Sequence, residues 1–179
     1  MSSVGTVYGQ ALYELAREEA LDTRVLEQLS VLDDCFRREP EYIRLLCAAN
    51  LSKQERCGIL DEAFRGKVEP CVLNFMKLLT EKGCMRRFSE CCKAYGALYN
   101  EAHGILEVKA VTAVALTESQ TERLAQKLSA ITGKTVKLCN KVDSSVLGGV
   151  RLDYHGVRVD DTVSHRLDDM AKRLANTVL

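Results

Sequence analysis

The sequence predicts an α+β protein: a six-helix bundle over residues 1–104, then a small α/β domain with a mixed sheet over residues 105–179. Three observations carry this prediction. Apolar residues recur every three or four positions through the first part of the chain, which marks helices with one buried face. At Ile105 the period drops to two, which marks a strand. Near the C-terminal end, Gly148-Gly149 opens two more alternating runs before a final helical stripe.

Each element has its own signal. The first helix carries Val4, Tyr8, Ala11 and Leu15 at helical spacing, with Leu12 beside them. The second follows Asp22 and places Val25, Leu29, Leu32 and Phe36 on one stripe, and Pro40 separates it from a short third helix with Tyr42, Ile43 and Leu46. Ser52-Lys53-Gln54-Glu55 reads as a capping box, in which hydroxyl and carboxylate satisfy each other's backbone donors. Behind it Ile59, Leu60, Ala63 and Phe64 form a buried face, and Gly66 closes the helix. Pro70 suits the first turn of a fifth helix, CVLNFMKLLTEK, which is apolar nearly all round. Such a helix is central to a bundle or shows one apolar side to a partner. Gly83 ends it, and a sixth helix places Phe88, Cys92, Tyr95 and Tyr99 on one stripe before Gly104.

Beyond Gly104, Leu106, Val108, Ala110 and Thr112 alternate with Glu107, Lys109 and Val111 as a strand. Thr117-Glu118-Ser119-Gln120 is a second capping box. It opens a helix expected to turn Leu124, Leu128 and Ile131 inward and to stop at Gly133. A second strand passes through Val136 and Leu138, so strand, helix and strand form a unit long enough for a crossover between parallel strands. Tyr154-His155-Gly156 reads as a hairpin turn, with Val157 and Val159 on the return strand. Asp160-Asp161 stands where Asp caps a helix whose face is Val163, Leu167, Met170 and Leu174.

Composition narrows the function. Lys plus Arg equals Asp plus Glu at 25 each, so the chain lacks the excess positive charge that nucleic-acid backbones demand. The N-terminus MSSVGTVYGQ has neither the basic nor the apolar region of a secretory signal, which leads to the expectation of a cytoplasmic protein. Val108–Leu116, the longest strongly apolar stretch, contains Lys109 and is too short to span a bilayer. None of the eight cysteines forms a CxxC pair, and no Cys/His group has zinc spacing. Most of them fall on apolar faces of predicted helices and read as small hydrophobes, and no metal or cofactor is expected.

Gly148-Gly149 invites a phosphate-loop reading. Such a loop needs glycines ahead of a helix N-terminus, with Lys and Ser or Thr after the last one. Here Val150, Arg151 and Leu152 follow as a strand, so the glycines mark a close backbone approach or a bulge. Asp160-Asp161 read better as caps than as paired acid/base carboxylates, and His103, His155 and His165 are scattered. Binding, rather than chemistry, is what an amphipathic first helix and an unusually apolar fifth helix favour. Two rivals stay open: a thiol enzyme built on a residue such as Cys92, whose pKa would then be depressed, and a stand-alone helix-binding adaptor.

Three stretches in order resemble one family, the delta subunit of F-type ATP synthases, also known as the oligomycin-sensitivity-conferring protein family. VYGQALYELA is similar to the family's opening at Tyr8, Ala11, Leu12 and Ala16, with Gly9 where the family prefers Ala. NFMKLLTEKGCMRRF is similar to the family's helix and turn that opens on Asn and closes on Arg. KVDSSVLGGVRLDYHGVRVDD resembles its C-terminal signature at Asp143, Leu147, Gly148, Gly149 and Asp160. Asp161-Thr162 replaces the usual Gly-Ser.

The resemblance covers the whole chain and implies a non-catalytic peripheral-stalk subunit, one copy per complex, on the cytoplasmic face of the bacterial inner membrane. It implies that the bundle binds alpha-subunit N-terminal helices and that the C-terminal domain binds the b subunit, which alone links it to the membrane. Tyr8, Ala11, Leu12 and Leu15, with Asn74, Leu78 and Glu81 opposite, are the expected alpha-binding residues. Leu167, Met170 and Leu174 are the expected b-binding residues, and the glycine pair is expected to be structural.

Overall fold

The computed structural model describes residues 4–48, 51–154, 156–167 and 170. The chain divides into two compact units, Met1–Tyr99 and Asn100–Leu179. The helices are α1 (Val4–Glu18), α2 (Asp22–Arg38), α3 (Pro40–Leu46), α4 (Lys53–Phe64), α5 (Pro70–Glu81), α6 (Phe88–Ala102) and α7 (Glu118–Thr132). A 3-10 turn, Met85–Arg87, leads into α6; the sequence reading does not separate it. The strands are β1 (Ile105–Thr112), β2 (Thr135–Val142), β3 (Gly149–Tyr154) and β4 (Val157–Thr162).

In the first unit α5 is the central element. Cys71, Val72, Leu73, Phe75, Met76, Leu79 and Thr80 are all buried, which leaves only one narrow side for solvent. Thr80 satisfies its hydroxyl on the Met76 carbonyl at 2.9 Å, so burying it leaves no orphan donor. Around α5 lie the buried stripe of α2, Val25, Leu29, Leu32 and Phe36, and the aromatic cluster that Phe36 makes with Tyr42, Phe64 and Phe88. Edge-on contacts such as Phe36–Phe88, with ring centroids 5.0 Å apart, favour one arrangement of these helices. The capping box at Ser52 and Glu55 is formed in both directions.

The first helix packs differently from its sequence stripe. Its buried residues are Gly5, Gly9, Leu12, Tyr13 and Ala16, whereas Val4, Ala11 and Leu15 are exposed. The two glycines make this possible. A methyl group at Gly9 would lie 2.6 Å from the Cys91 carbonyl oxygen and 2.8 Å from Ala94 Cβ, and one at Gly5 would lie 2.7 Å from Glu90 Cβ. α1 therefore meets α6 backbone to backbone. Here Gly9→Ala sets two effects against each other. Alanine favours a helix by about 1 kcal/mol, but a methyl against a main-chain oxygen overpacks the contact at a cost of about 1–3 kcal/mol. Because a carbonyl cannot rotate away, we expect net destabilisation, read as a lowered urea midpoint with an unchanged m-value.

The second unit is a four-stranded mixed sheet in the order β2-β1-β3-β4. β1 and β2 are parallel and joined through α7, while β1–β3 and β3–β4 are antiparallel. Leu106, Val108, Ala110 and Thr112 of β1 are buried, as their alternation implies. Val111 is buried as well, so the other face of the strand is not uniformly polar. Asn140 ties the unit together: its amide donates to the Ala110 carbonyl at 3.1 Å and to Thr112 Oγ1 at 2.8 Å, and its oxygen accepts from the Leu116 amide. α7 begins in a complete Thr117–Gln120 capping box and ends at Gly133 with φ +67°. Its half-buried residues include Leu124, Ala125 and Leu128, whereas Ile131 is 81% exposed. The expectation that Ile131 faces inward fails: it lies in the last turn of α7, at the edge of the stripe that Leu124, Ala125 and Leu128 form.

Candidate functional site

A groove opens on the first unit where the exposed edge of α1 meets the exposed side of α5. Its lining is Tyr8, Ala11, Leu12 and Leu15 from α1 with Cys71, Asn74, Phe75 and Leu78 from α5, around about 200 Å³ of space. Leu12, 4% exposed, and Phe75 belong to the core and form its floor. Leu15 and Leu78, 43% and 39% exposed, are its apolar lips. Asn74 is the one amide among these apolar groups, which can fix the register of an occupant that offers a backbone or side-chain partner.

The structure brings together Tyr8, Ala11, Leu12, Leu15, Asn74 and Leu78, which the sequence reading selected. Glu81 is not among the lining residues; its Oε1 lies 3.9 Å from Cys57 Sγ, on the side of α4. Cys71 and Phe75 line the groove without having been selected. Their signal was the all-round apolar character of α5, which does not say which of its residues meet α1.

In the second unit Gly149 has φ +88° and pairs with Thr162 across β3 and β4. A side chain there would place Cβ 2.4 Å from the Asp161 carbonyl oxygen and 2.9 Å from Thr162 Cα. Gly148 is less confined: its Cβ would stand 3.4 Å from Val163 Cγ2, and its carbonyl accepts from the Val163 amide at 3.0 Å. The glycine pair thus serves a close strand crossing. No helix N-terminus follows it, as a phosphate loop would require.

The signature aspartates brace turns. Asp143 Oδ1 accepts from the Ser145 amide at 3.0 Å and from its hydroxyl at 2.6 Å. Asp160 Oδ1 accepts from the Thr162 hydroxyl at 2.7 Å and from its amide at 3.0 Å. These bonds, the hydroxyl one first, hold both carboxyls below the usual carboxylate range. The cap of the last helical segment, residues 163–167, is Thr162, whose Oγ1 accepts from the His165 amide at 3.3 Å. The expected Asp160-Asp161 cap is therefore corrected by one residue. Asp161 instead binds Arg166 through two bonds of 2.7 Å. Leu147 is 77% exposed and contributes nothing to the core. Leu167 and Met170 are exposed too, and Leu174 lies outside the described residues.

The family model "ATP synthase delta (OSCP) subunit" matches residues 4–174 of this chain. The chain belongs to the ATP synthase delta (OSCP) family. Relatives in that family include the ATP synthase subunit delta of Desulfitobacterium hafniense (strain DSM 10664 / DCB-2), 31% identical over 169 residues, covering 94% of each chain. The ATP synthase subunit delta of Alkaliphilus oremlandii (strain OhILAs) is 30% identical over 172 residues, covering 96% of each chain. Among solved structures, a chain of the Toxoplasma gondii mitochondrial ATP synthase hexamer superposes with a TM-score of 0.78 at 18% identity, covering 97% of this chain and 98% of that one. That likeness concerns the fold.

A delta-family subunit is not itself catalytic, and the thiols agree with that. The reactive-cysteine alternative requires a depressed pKa at Cys92. Instead burial, and next the charge of Asp33, push this thiol far up, and its Sγ donates to the Leu29 carbonyl at 3.8 Å. Cys91 beside it is also raised by burial, to about 11. Among the described residues no helix is long and apolar enough to cross a membrane.

Proposed function

We propose that this chain is the stator subunit that ties the catalytic head of an F-type ATP synthase to its membrane-anchored stalk, at the cytoplasmic face of a bacterial inner membrane. In this reading the unit formed by residues 1–104 holds an N-terminal helix of an alpha subunit in the α1/α5 groove. The unit formed by residues 105–179 holds the C-terminal region of the b subunit. One copy serves each complex. The observation that carries the reading is the groove itself: two exposed leucines on a core-built floor, in a chain of this family. Rotation of the central stalk puts torque on the head, and a head without an anchor would turn with the rotor and uncouple proton flow from ATP formation.

A stator needs slow release rather than chemistry. Apolar burial lengthens residence time, and two linked attachments raise the effective affinity of the whole tether. The second unit has apolar surface to offer. Leu147, Val157, Val159, Val163, Leu167 and Met170 are all exposed, and a partner helix could cover them. We propose the b-subunit contact there, at Leu167 and Met170, with Leu174, outside the described residues, as the third residue expected from the sequence.

Calorimetry tests the head-binding half directly. A peptide of the cognate alpha subunit's N-terminal helix is titrated into the full chain at several temperatures. Saturable binding with a negative heat-capacity change is expected, since apolar surface leaves water. Absence of binding at high peptide concentration would overturn the groove assignment. A stand-alone adaptor predicts instead that the alpha peptide fails while an unrelated amphipathic helix binds.

A further inference from the structure

Apart from Asn74 and the Tyr8 hydroxyl the walls of the α1/α5 groove are apolar, and apolar packing by itself holds a helix equally well in either direction. The charges at its two ends are unequal. Glu14 and Glu18 are exposed in the C-terminal part of α1, on either side of Leu15 in sequence, and Glu19 is exposed in the turn that follows. Glu18 continues the Ala11–Leu15 row that lines the groove. Glu19 reaches the α5 side: after burial, its charge is the next factor raising the Cys71 thiol. Arg24, in the first turn of α2 just past the end of α1, bonds Glu69, the residue before α5, so α1 ends near the start of α5 and the two helices run antiparallel.

Nearby cations do not cancel this charge. Arg24 is already paired with Glu69 at 2.9 Å, which removes both from the balance. Arg17 lies roughly 200° around the helix from Leu15, on the side away from the groove. At the opposite end Glu81 and Lys82 supply one charge of each sign. The macrodipoles of antiparallel helices oppose each other, so the side-chain charges set the sign along the groove. Three carboxylates beside low-dielectric walls focus a negative potential at one end.

We infer that the groove is directional: its occupant is an amphipathic helix carrying basic residues that lie at the Glu14–Glu18–Glu19 end, so that charge selects one of two orientations that apolar packing leaves equivalent. This rests on the reading of the groove as the alpha-subunit site. The reverse orientation would bring the occupant's cations to an end with no net charge and leave three carboxylates unmatched.

The test uses the full chain and a synthetic peptide of the cognate alpha subunit's N-terminal helix. Binding is measured for the unmodified chain, for E14K/E18K/E19K and for Leu78→Asp, at low and high salt. Lysines in the last turn of α1 suit its dipole, so the triple variant should melt like the parent. The reversal is expected to weaken binding about tenfold at low ionic strength, mostly through a slower on-rate, with the deficit shrinking to about twofold near 0.5 M salt. Equal affinity of E14K/E18K/E19K and the parent at low salt, with Leu78→Asp impaired, would overturn the directional groove and leave the groove itself standing. Equal affinity of all three proteins would overturn the groove assignment, and the inference with it.

Discussion

Ala11→Asp is expected to lower affinity for the alpha-subunit helix by about a hundredfold while leaving the fold intact. Ala11 is exposed on α1 and lines the groove between Tyr8 and Leu15, so a carboxylate there meets solvent in the free protein. Replacing Ala by Asp within a helix costs about 0.7 kcal/mol in propensity, a small part of a typical domain's stability. In the proposed complex the same carboxylate would be trapped against Leu15, Leu78 and the apolar face of the occupant. Burying an unpaired charge is what makes the effect large. Calorimetry on the variant reads the affinity, and a thermal melt reads the fold. Leu12→Ala provides the contrast: Leu12 is the groove floor and also core, so its loss should cost about 2–5 kcal/mol of stability before any binding is measured. Undiminished binding by a folded Ala11→Asp protein would remove the groove from consideration.

The second large effect is expected at Gly149. Any side chain there must adopt φ +88° and also place Cβ 2.4 Å from the Asp161 carbonyl oxygen, and neither problem relieves the other. Backbone strain and overpacking each cost about 1–3 kcal/mol, so Gly149→Val should lose about 3 kcal/mol or more. The damage should stay in the second unit. Amide exchange should rise across β3 and β4, binding of the b subunit should fall, and affinity for the alpha peptide should stay within about twofold of the parent. Gly148→Ala is the control, since its added methyl meets only Val163 Cγ2 at an ordinary 3.4 Å. Two adjacent glycines with unequal tolerance would separate a strand-crossing role from an anion-binding role, which predicts comparable sensitivity at both.

Local chemistry made much of this fold legible in the sequence. The capping boxes at Ser52 and Thr117, Pro70 at the start of α5, and Gly133 at the end of α7 all act within one helical turn. The change of period at Ile105 likewise needs only β1's own residues. Contacts between distant segments were harder to read. Gly5 and Gly9 look like weak helix formers until Glu90, Cys91 and Ala94 are opposite them. Because α1 turns its glycine face inward, the apolar stripe through Ala11 and Leu15, which helical periodicity alone would bury, becomes the wall of a groove. Ile131 misleads for the opposite reason: an apolar residue on the helical period, but in the last turn of α7, still faces solvent. Thr162 took the cap expected of Asp160 and Asp161 because β4 runs on through both aspartates and ends at Thr162.

The order of the sheet has a consequence for synthesis on the ribosome. The helices of the first unit are contiguous along the chain, so they can pack as soon as α6 has emerged. β1 is made next, and it is central: its two neighbours are β2, beyond α7, and β3, later still. Until those strands appear, β1 exposes both hydrogen-bonding edges and its row of Leu106, Val108 and Ala110. Non-local strand pairing is slow because the intervening loop must close first. The nascent subunit therefore passes through a stage in which a finished helical unit is tethered to an aggregation-prone open strand. Lys109 and Glu107, alternating with that apolar row, give the unpaired strand the charge that discourages it from joining a second copy.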